Sequence, residues 1–489
     1  MRYWLVLVVG LFWPSVTLAQ VYAFPSAEGF GRVSVGGRGG RVVRVTNRED
    51  SGPGSLRHAL TQTYPRTVIF DVSGTIELRS NIVMAEANSF CTIAGQTSPG
   101  GVQIKGANAG SPGNNAAIIV YDGCHDVIIR HLRVRPGGYA SANGDDDNAI
   151  VIYGPTRWTY NVIVDHCSIS WGNDEMCSNY GLVENTTWQW NIIAEGVPVL
   201  PGAGFAFLAD NWAPEADQPR IRFAVHHNLL VHNQNRNISA VRGYADFQNN
   251  IVYNWSGNNA SSWGSKAHGP KGHSAKGNLI NNIYVAGVDA SPDAFFLGNG
   301  SSLGDRDQGG TQVYVEGNWS PNYPTGATNE WAHPWLTADY WPPEIRLCRE
   351  SEFRTTTKFP SLIATEPTSV ITNKIVARVG AYKPSRDSVD RHIIDHFVNR
   401  TGDLAHIGAG GPWAVLDGGA PPTDSDGDGM PDAWEVSHQL NPNDGADGPQ
   451  RSRNGYTHLE NYLNELAGDT VPNWSVPRPG PPQSLRRVL

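Results

Sequence analysis

Short runs of β-branched and aromatic residues recur along the chain, and apolar and polar positions alternate within each run. This alternation predicts β-strands, because successive side chains of a strand point to opposite faces. The segment 161–175, NVIVDHCSISWGNDE, shows the pattern and ends in a polar turn that carries Asn173, Asp174 and Glu175. Clustered carboxylates at the end of a strand can hold a hard cation such as Ca²⁺ on a rigid platform.

A polar residue recurs at a similar place in successive strand runs. The series comprises His131, His166, Asn191, Asn228, Asn250, Asn282 and Asn318. Its members lie 22 to 37 residues apart, and a period of this size indicates stacked structural units. Because no helical segments separate these strands, we predict an all-β fold, a right-handed parallel β-helix, in which Asn side chains form a hydrogen-bonded ladder. A β-propeller is the alternative, but regular blades would need a more even spacing.

The two ends of the chain differ in composition from its strand-rich part. Residues 1–19, MRYWLVLVVGLFWPSVTLA, place Arg2, an apolar run and small residues before Gln20, which is typical of the signal peptide of a secreted protein. Helical spacing of apolar residues over 388–399 predicts a helix that lies against the end of the coil. The predicted divisions are a signal peptide over 1–19, the β-helix over 20–410, a linker over 411–422, a small C-terminal calcium-loop module over 423–467 and a disordered tail over 468–489.

Charge and composition narrow the range of partners. The formal net charge is −9, so the chain lacks the excess of basic residues that is typical of nucleic-acid-binding proteins. An acidic substrate would need a bound cation or a local basic patch to offset the repulsion between like charges. The apolar run near the N-terminus is too short to span a bilayer, and no later segment is long enough, so no membrane contact is expected. We expect a monomer.

Cysteines and glycosylation motifs agree with a secreted protein. The odd count of five cysteines leaves at least one thiol unpaired, and because no CxxC spacing occurs, a zinc site is not expected. Eight N-x-S/T motifs occur, at Asn185, Asn237, Asn254, Asn259, Asn299, Asn318, Asn399 and Asn473.

A second acidic motif lies near the C-terminus, where 424–435 reads DSDGDGMPDAWE. Its carboxylates follow the register of an EF-hand calcium loop, with Gly429 at the position of the sharp turn. The predicted Ca²⁺ ligands are Asp424, Asp426, Asp428, the backbone carbonyl of Met430, Asp432 and Glu435. The segment 455–466 would supply the partner helix of a thrombospondin-type or dockerin-like variant.

Several motifs together resemble the secreted pectate lyases of the first polysaccharide lyase family. The resemblance covers about residues 23–410 and is carried by AFPSAEGFG, VTNREDSGPGSLRHAL, FDVSGTI, IAGQTSPGG, DHCSISWGNDE and HHNLL…NNIVYNW. It implies a right-handed parallel β-helix, dependence on Ca²⁺, and β-elimination of polygalacturonate to 4,5-unsaturated products. It also places calcium carboxylates at Asp147, Asp174 and Glu175, with Asp145 and Asp146 as alternatives to the first.

The resemblance further implies that an arginine acts as the base. The family pattern has Arg, any residue, Pro and then a nearby second Arg, whereas this chain reads RNISAVRG, with Ile238 at the Pro position. Arg236 is therefore the candidate base, and Arg242 is a clamp for the substrate carboxylate or the alternative base. A lysine expected after the Asn191 coil has no counterpart, although Lys266 or Lys271 could replace it in space.

Two other functions remain open from the sequence. One is a lyase or hydrolase for a different acidic polysaccharide, in which paired carboxylates could flank the scissile bond. The other is a non-catalytic, glycan-binding β-helix, for which the altered arginine motif is the best support. The adjacent Asp165 and His166 could form a catalytic pair, but strand alternation predicts that they point to opposite faces and that His166 is a buried structural residue.

Overall fold

The fold was obtained as a computed structural model, which describes most of the predicted β-helix and the C-terminal module. The described residues are 20–106, 116–137, 148–197, 204–210, 220–240, 242–256, 260–263, 275–290, 295–297, 312–321, 336–337, 354–408 and 410–471. The predictions that lie outside them concern the signal peptide 1–19, Asp145, Asp146, Asp147, Lys266, Lys271 and the tail 472–489.

Strands dominate the described part of the chain. They are β1 Arg41–Val45, β2 Arg66–Phe70, β3 Gly74–Glu77, β4 Ile82–Met84, β5 Cys91–Ala94, β6 Val102–Lys105, β7 Ala116–Tyr121, β8 His125–Arg130, β9 Arg133–Val134, β10 Asn148–Asp165, β11 Ser168–Ser170, β12 Glu175–Gln189, β13 Ile192–Ala194, β14 Phe205–Asp210, β15 Arg222–His226, β16 Leu229–Val231, β17 Ser239–Ala240, β18 Gly243–Gln248, β19 Ile251–Tyr253, β20 Ser261–Trp263, β21 Ala275–Ile280, β22 Ile283–Val285, β23 Phe295–Leu297, β24 Gln312–Glu316 and β25 Leu336–Thr337. The α-helices are α1 Leu56–Leu60, α2 Thr368–Arg378, α3 Ser388–Asn399, α4 Asp432–Ser437 and α5 His458–Ala467, and short 3₁₀ turns cover Phe30–Val33, Glu86–Asn88, Gly95–Thr97 and Leu404–His406.

These strands stack in parallel on three faces of a coil. The first face contains β4, β7, the first half of β10, the first half of β12, β14, β17, β20, β23 and β25. The second face contains β1, β2, β5, β8, the second halves of β10 and β12, β15, β18, β21 and β24. The third face contains β3, β6, β9, β11, β13, β16, β19 and β22. The predicted all-β parallel β-helix is confirmed.

The core fills the inside of this coil. On the second face, equivalent inward residues stack directly above one another along the axis. One such column is Ile93, Ile129, Val164, Trp188, Val225, Phe247, Leu279 and Val315. All but the last are fully buried, so each coil covers the apolar surface that its neighbour cannot bury alone.

The asparagine ladder forms at the corner between the second and third faces. Side-chain amides donate from Asn191 to Asn228 at 3.0 Å, from Asn228 to Asn250 at 2.9 Å, from Asn250 to Asn282 at 3.0 Å and from Asn282 to Asn318 at 3.0 Å. The prediction that His131 and His166 belong to this series is wrong. They sit one position earlier, at corner residues with left-handed backbone (φ 53 and 50), and their rings stack on each other with centroids 5.1 Å apart.

Helix α3 is present as predicted, but its place is different. Val389, Ile393 and Phe397 pack with outward residues of the third face, such as Ile192 and Leu229. The helix therefore covers the side of the coil and not its end. The reason is that this face presents apolar residues outward, and these must be buried against another element.

The C-terminal module docks on the opening coils. Met430, Leu459 and Leu463 pack against Ile69 and Ala94 of the second face. The preceding segment, predicted to be a linker, is also held in place. Its Trp413 donates a hydrogen bond to the carbonyl of Arg135 at 3.0 Å, and Ala414 and Leu416 are buried.

The start of the predicted disordered tail is fixed as well. The carboxylate of Asp469 accepts a hydrogen bond from Arg130 at 3.0 Å, and both side chains are almost fully buried. This contact holds the segment after α5 against the coil.

Candidate active site

Three neighbouring coils bring together the starts of three strands on the first face. Glu175 begins β12 and is in register with Phe205, which begins β14. One coil further, the carbonyl of Arg236 accepts the N–H of Phe207 at 2.7 Å. Arg236 therefore lies beside the start of β14, two coils from Glu175, although 61 residues separate the two in the sequence.

The side chains of these residues meet. The guanidinium of Arg236 forms an ion pair with the carboxylate of Glu175 and lies over the ring of Phe205, with 4.0 Å from its central carbon to the ring centroid. The Glu175 side chain is 8% exposed and that of Arg236 31%. A guanidinium held between a buried carboxylate and an aromatic face has a defined direction while part of it remains open to a ligand.

Register places Asn148, the residue after the predicted calcium ligand Asp147, next to this pair. Ile150 of β10 is opposite Cys177 of β12, and continuing that register sets Asn148 beside Glu175. Asp174, adjacent to Glu175, accepts the N–H of Phe205 through its backbone carbonyl at 2.7 Å. Asp147 lies outside the described residues but immediately precedes Asn148 in the chain. The carboxylate donors of this region fit Ca²⁺, which prefers hard oxygen ligands.

Arg242 lies elsewhere on the first face. Its electrostatic neighbours are Asp210 and Tyr180, and burial lowers the pKa of its guanidinium, an effect that the Asp210 charge partly offsets. Tyr180, five residues after Glu175 in the first half of β12, is in register with Asp210, the last residue of β14. The structure therefore does not bring Arg242 to Glu175, and its 1% exposure speaks against direct contact with a polymer.

The sequence interpretation missed an aromatic row on the outer side of the first face. Tyr121, Tyr153 and Tyr180 occupy equivalent positions of successive coils, with centroid distances of 5.7 Å and 5.6 Å. The next residue in that row is Asp210. A stacked tyrosine at one position of each coil could have been found by aligning the repeats, but the long strands β10 and β12 obscure the period.

The expectation that Asp165 and His166 point to opposite faces is wrong. The Nδ1 atom of His166 is 2.8 Å from a carboxylate oxygen of Asp165. Strand alternation ends at the left-handed corner residue, so the two side chains turn toward each other. Asp165 also accepts a hydrogen bond from Arg130 at 2.7 Å. His166 is buried, as predicted, in a ring stack with His131 and Trp190.

Most of the predicted C-terminal calcium ligands converge. Ligand atoms of Asp424, Asp426 and Asp428 lie within 4.8 Å of one another, as do those of Asp428, Glu435 and Asp447. Within the described residues, five buried oxygens of this group have no hydrogen-bond donor. They are Oδ2 of Asp426, Oδ2 of Asp428, Oε1 and Oε2 of Glu435, and Oδ1 of Asp447. Buried carboxylate oxygens without donors fit a cation.

Electrostatics describes the same cluster. Burial raises the pKa of Asp428 to about 7 and that of Glu435 to about 8, and neighbouring carboxylates add to both shifts. Asp432 is the predicted carboxylate ligand that belongs to neither converging group, and its two oxygens accept hydrogen bonds from the backbone and hydroxyl of Ser425, each at 2.7 Å. Asp447 takes part instead, and the loop register could not show this because the residue lies outside the loop.

Comparisons with known proteins agree with the geometry. The chain is 34% identical over 455 residues to the probable pectate lyase C of Aspergillus terreus, covering 92% of this chain and 95% of that protein. It is 33% identical over 452 residues to the probable pectate lyase C of Emericella nidulans, covering 91% and 92%. No protein-family model matches the chain.

The solved structures to which the chain is similar include an allergen and a pectate lyase. The major cedar-pollen allergen jun a 1 has a TM-score of 0.48 at 16% identity, over 72% of this chain and 92% of the allergen. The thermostable pectate lyase PL 47 has a TM-score of 0.49 at 15% identity, over 72% of this chain and 96% of that structure.

Proposed function

Because the chain belongs to the pectate lyase family, and is thus a polysaccharide lyase, we propose that it cleaves polygalacturonate by Ca²⁺-dependent β-elimination at the Arg236–Glu175 site. One observation supports this site most directly. Arg236, two coils away from the predicted calcium ligand Glu175, has its guanidinium on that carboxylate. The base and the metal-binding group of such a reaction must both reach one sugar residue, and here they are in contact.

Calcium would be held by Asp147, Asp174 and Glu175. When bound, it supplies positive charge that draws electron density from the uronate carboxylate and makes the neighbouring C5 proton more acidic. The alternative is an ion pair that only stabilises the fold. The 31% exposure of the Arg236 side chain supports the catalytic role, because it leaves part of the guanidinium open to a substrate.

Arg236 would take the C5 proton. The C4–O bond then breaks, its electrons leave with the departing oxygen, and a C4–C5 double bond forms on the new non-reducing end. A guanidinium gives up a proton only reluctantly, and the ion pair with Glu175 favours its charged form. Once the Glu175 carboxylate has another cationic partner, it would no longer favour the charged form of Arg236. The same carboxylate would therefore influence both metal binding and the protonation state of the base.

The product distinguishes this reaction from hydrolysis. We expect ultraviolet absorbance from the conjugated double bond to rise when the protein is mixed with polygalacturonate and Ca²⁺, to stop on addition of a chelator and to resume with excess Ca²⁺. New reducing ends without the absorbance would identify a hydrolase. Binding of the polymer without cleavage at saturating Ca²⁺ would identify a glycan-binding protein.

The C-terminal module would carry a separate, structural Ca²⁺ on Asp424, Asp426, Asp428, Glu435 and the carbonyl of Met430. We add Asp447 to this set because its buried oxygen lies within the cluster. Asp432 would support the loop through Ser425. An ion here would stabilise the docking of the module on the first coils.

Secretion is the last element of the proposal. Residues 1–19 have the composition of a signal peptide, and an extracellular polymer requires an extracellular enzyme. In the part of the chain that the structure describes, no helix combines the length and the apolar character needed to cross a bilayer.

A further inference from the structure

A second group of metal-binding side chains lies outside the candidate active site, on the third face. Glu195 follows β13 at a corner residue with left-handed backbone (φ 60). Helix α3 presents His392 and His396 one turn apart, on the same side of the helix. His406 reaches the same place from the 3₁₀ turn Leu404–His406. Ligand atoms of all four residues lie within 4.8 Å of one another.

The contacts inside this histidine cluster are short. One carboxylate oxygen of Glu195 lies 2.6 Å from Nε2 of His392 and 3.1 Å from Nε2 of His406. The ring of His396 is centred 5.3 Å from that of His392 and 5.0 Å from that of His406. Three imidazoles and one carboxylate thus have ligand atoms close to one another, which matches the donor types and number of a tetrahedral zinc site.

The residues around the cluster hold its members in position. The second carboxylate oxygen of Glu195 accepts the indole N–H of Trp171 at 2.8 Å, and the Glu195 side chain is 2% exposed. His232 lies behind His396, with 3.2 Å between Nε2 and Nδ1. Gly402 packs against this same pair with a positive φ of 79, and a Cβ there would collide with Nδ1 of His396 and Nε2 of His232. Such supporting contacts orient the residues that bind a metal.

The site is also accessible. The side chains of His392 and His406 are 38% and 34% exposed, so an ion can enter without unfolding of the coil. Imidazole is a poor ligand for Ca²⁺ and a good one for late transition metals. A set of hydrogen-bonded histidines without a metal is the alternative. The metal accounts for the placement of three rings, two from α3 and one from the following turn, around one buried carboxylate from a third element.

We infer that Glu195, His392, His396 and His406 bind a divalent transition metal, with Zn²⁺ the best fit, and that the ion fastens α3 and the following turn to the third face. All four positions of a tetrahedral ion would be filled by protein atoms, which is typical of structural zinc sites. The inference is independent of the lyase function, since none of these residues belongs to the Arg236–Glu175 site.

The test is calorimetric titration of the full-length, chelator-treated protein with ZnCl₂ in the presence of saturating Ca²⁺. Calcium occupies the carboxylate sites, so any remaining zinc binding reports on the histidines. We expect one Zn²⁺ per chain, and a loss of affinity in His392→Ala and His396→Ala that exceeds the ~10–100-fold typical of changes behind a metal ligand. His58→Ala, an exposed histidine of α1, is the matched control and should bind like the unmodified protein.

Two further measurements separate loss of zinc binding from loss of folding and identify the zinc ligands. His406→Gln alters only a partly exposed turn, so it should fold like the parent protein by circular dichroism and still lose zinc. X-ray absorption at the zinc edge should show nitrogen or oxygen neighbours at ~2.0–2.1 Å and no sulfur. Zinc affinity that is unchanged in His392→Ala and His406→Gln, or zinc binding that disappears when Ca²⁺ is added, would overturn the inference.

Discussion

At the scale of single residues, the backbone conformation of the corners decides which side chains meet. His166, Arg236 and Glu195 all have positive φ (50, 50 and 60), and each makes a contact that strand alternation would not predict. Sequence patterns describe the faces of a strand well, because the period of two is regular. They do not describe the corner residues, whose direction depends on a non-glycine residue in a left-handed conformation.

The asparagine ladder gives a prediction at this scale. In Asn228→Ala, the N–H of Asn191 loses an acceptor at 2.8 Å and the buried carbonyl of Trp188 loses a donor at 2.9 Å. We expect destabilisation of about 2–4 kcal/mol, since each buried group left unpaired costs about 1–3 kcal/mol. Denaturant unfolding measures it, with Asn373→Ala on the exposed side of α2 as the control. Equal midpoints for the two variants would contradict the account.

A second residue-scale prediction concerns Glu28. Burial raises the pKa of Glu28 to about 7, and the nearby Glu366 charge contributes. The folded protein therefore holds a proton that the unfolded chain releases near its usual pKa of 4.5, so stability is lost as the pH rises from about 4.5 to 7.

Glu28→Gln should remove that loss. Allowing for partial solvent screening, the stability of the parent protein relative to the variant should fall by about 1–2 kcal/mol between pH 5 and pH 8. Urea unfolding at both pH values tests this, with the exposed Glu49→Gln as the control. A pH dependence in Glu28→Gln identical to that of the parent would show that Glu28 ionises normally.

At the scale of elements, the strands were largely predictable from the sequence, but the positions of the elements that pack on the outside of the coil were not. Alternation and the repeated Asn positions indicated stacked parallel strands, because each coil must bury its apolar side chains and pair its polar corner residue in the same way. The apolar spacing predicted helix α3 but not its location. The outward apolar residues that it covers belong to strands of only three residues, such as Ile192–Ala194, and these are too short to show a pattern in the sequence. The histidine cluster was not singled out from the sequence for a related reason. His392 and His396 are four residues apart on α3, but their partners Glu195 and His406 come from other elements.

The C-terminal module allows a test at this scale. Removal of Ca²⁺ leaves the carboxylates of Asp428, Glu435 and Asp447 buried close together, where they repel one another. We expect amide hydrogen exchange over α4 and α5 to rise in chelator and fall again with Ca²⁺. In Glu435→Gln the protection at a given Ca²⁺ concentration should be weaker, whereas Asp444→Asn, an exposed position of the same module, should behave like the parent. Protection that is insensitive to Ca²⁺ would mean that the module holds no ion.

At the scale of the whole molecule, the coil brings distant segments of the sequence to one place. The resemblance of motifs predicted both Glu175 and Arg236, but no local spacing showed that they touch, because the distance depends on how many residues each coil contains. The number of residues in each coil also places Arg242 about the length of one strand away from Glu175 and Arg236. Phe205 could not be predicted at all, since its role depends only on lying between the coils of Glu175 and Arg236.

The most direct measurement is the steady-state rate of unsaturated product formation from polygalacturonate with Ca²⁺ for Arg236→Ala. Loss of the base should lower kcat by ~10²–10⁴-fold while polymer binding persists, and Arg222→Ala, an exposed arginine on the second face, should keep the parental rate. If Arg236→Ala retained the parental kcat, the assignment of the active site to the Arg236–Glu175 pair would be contradicted.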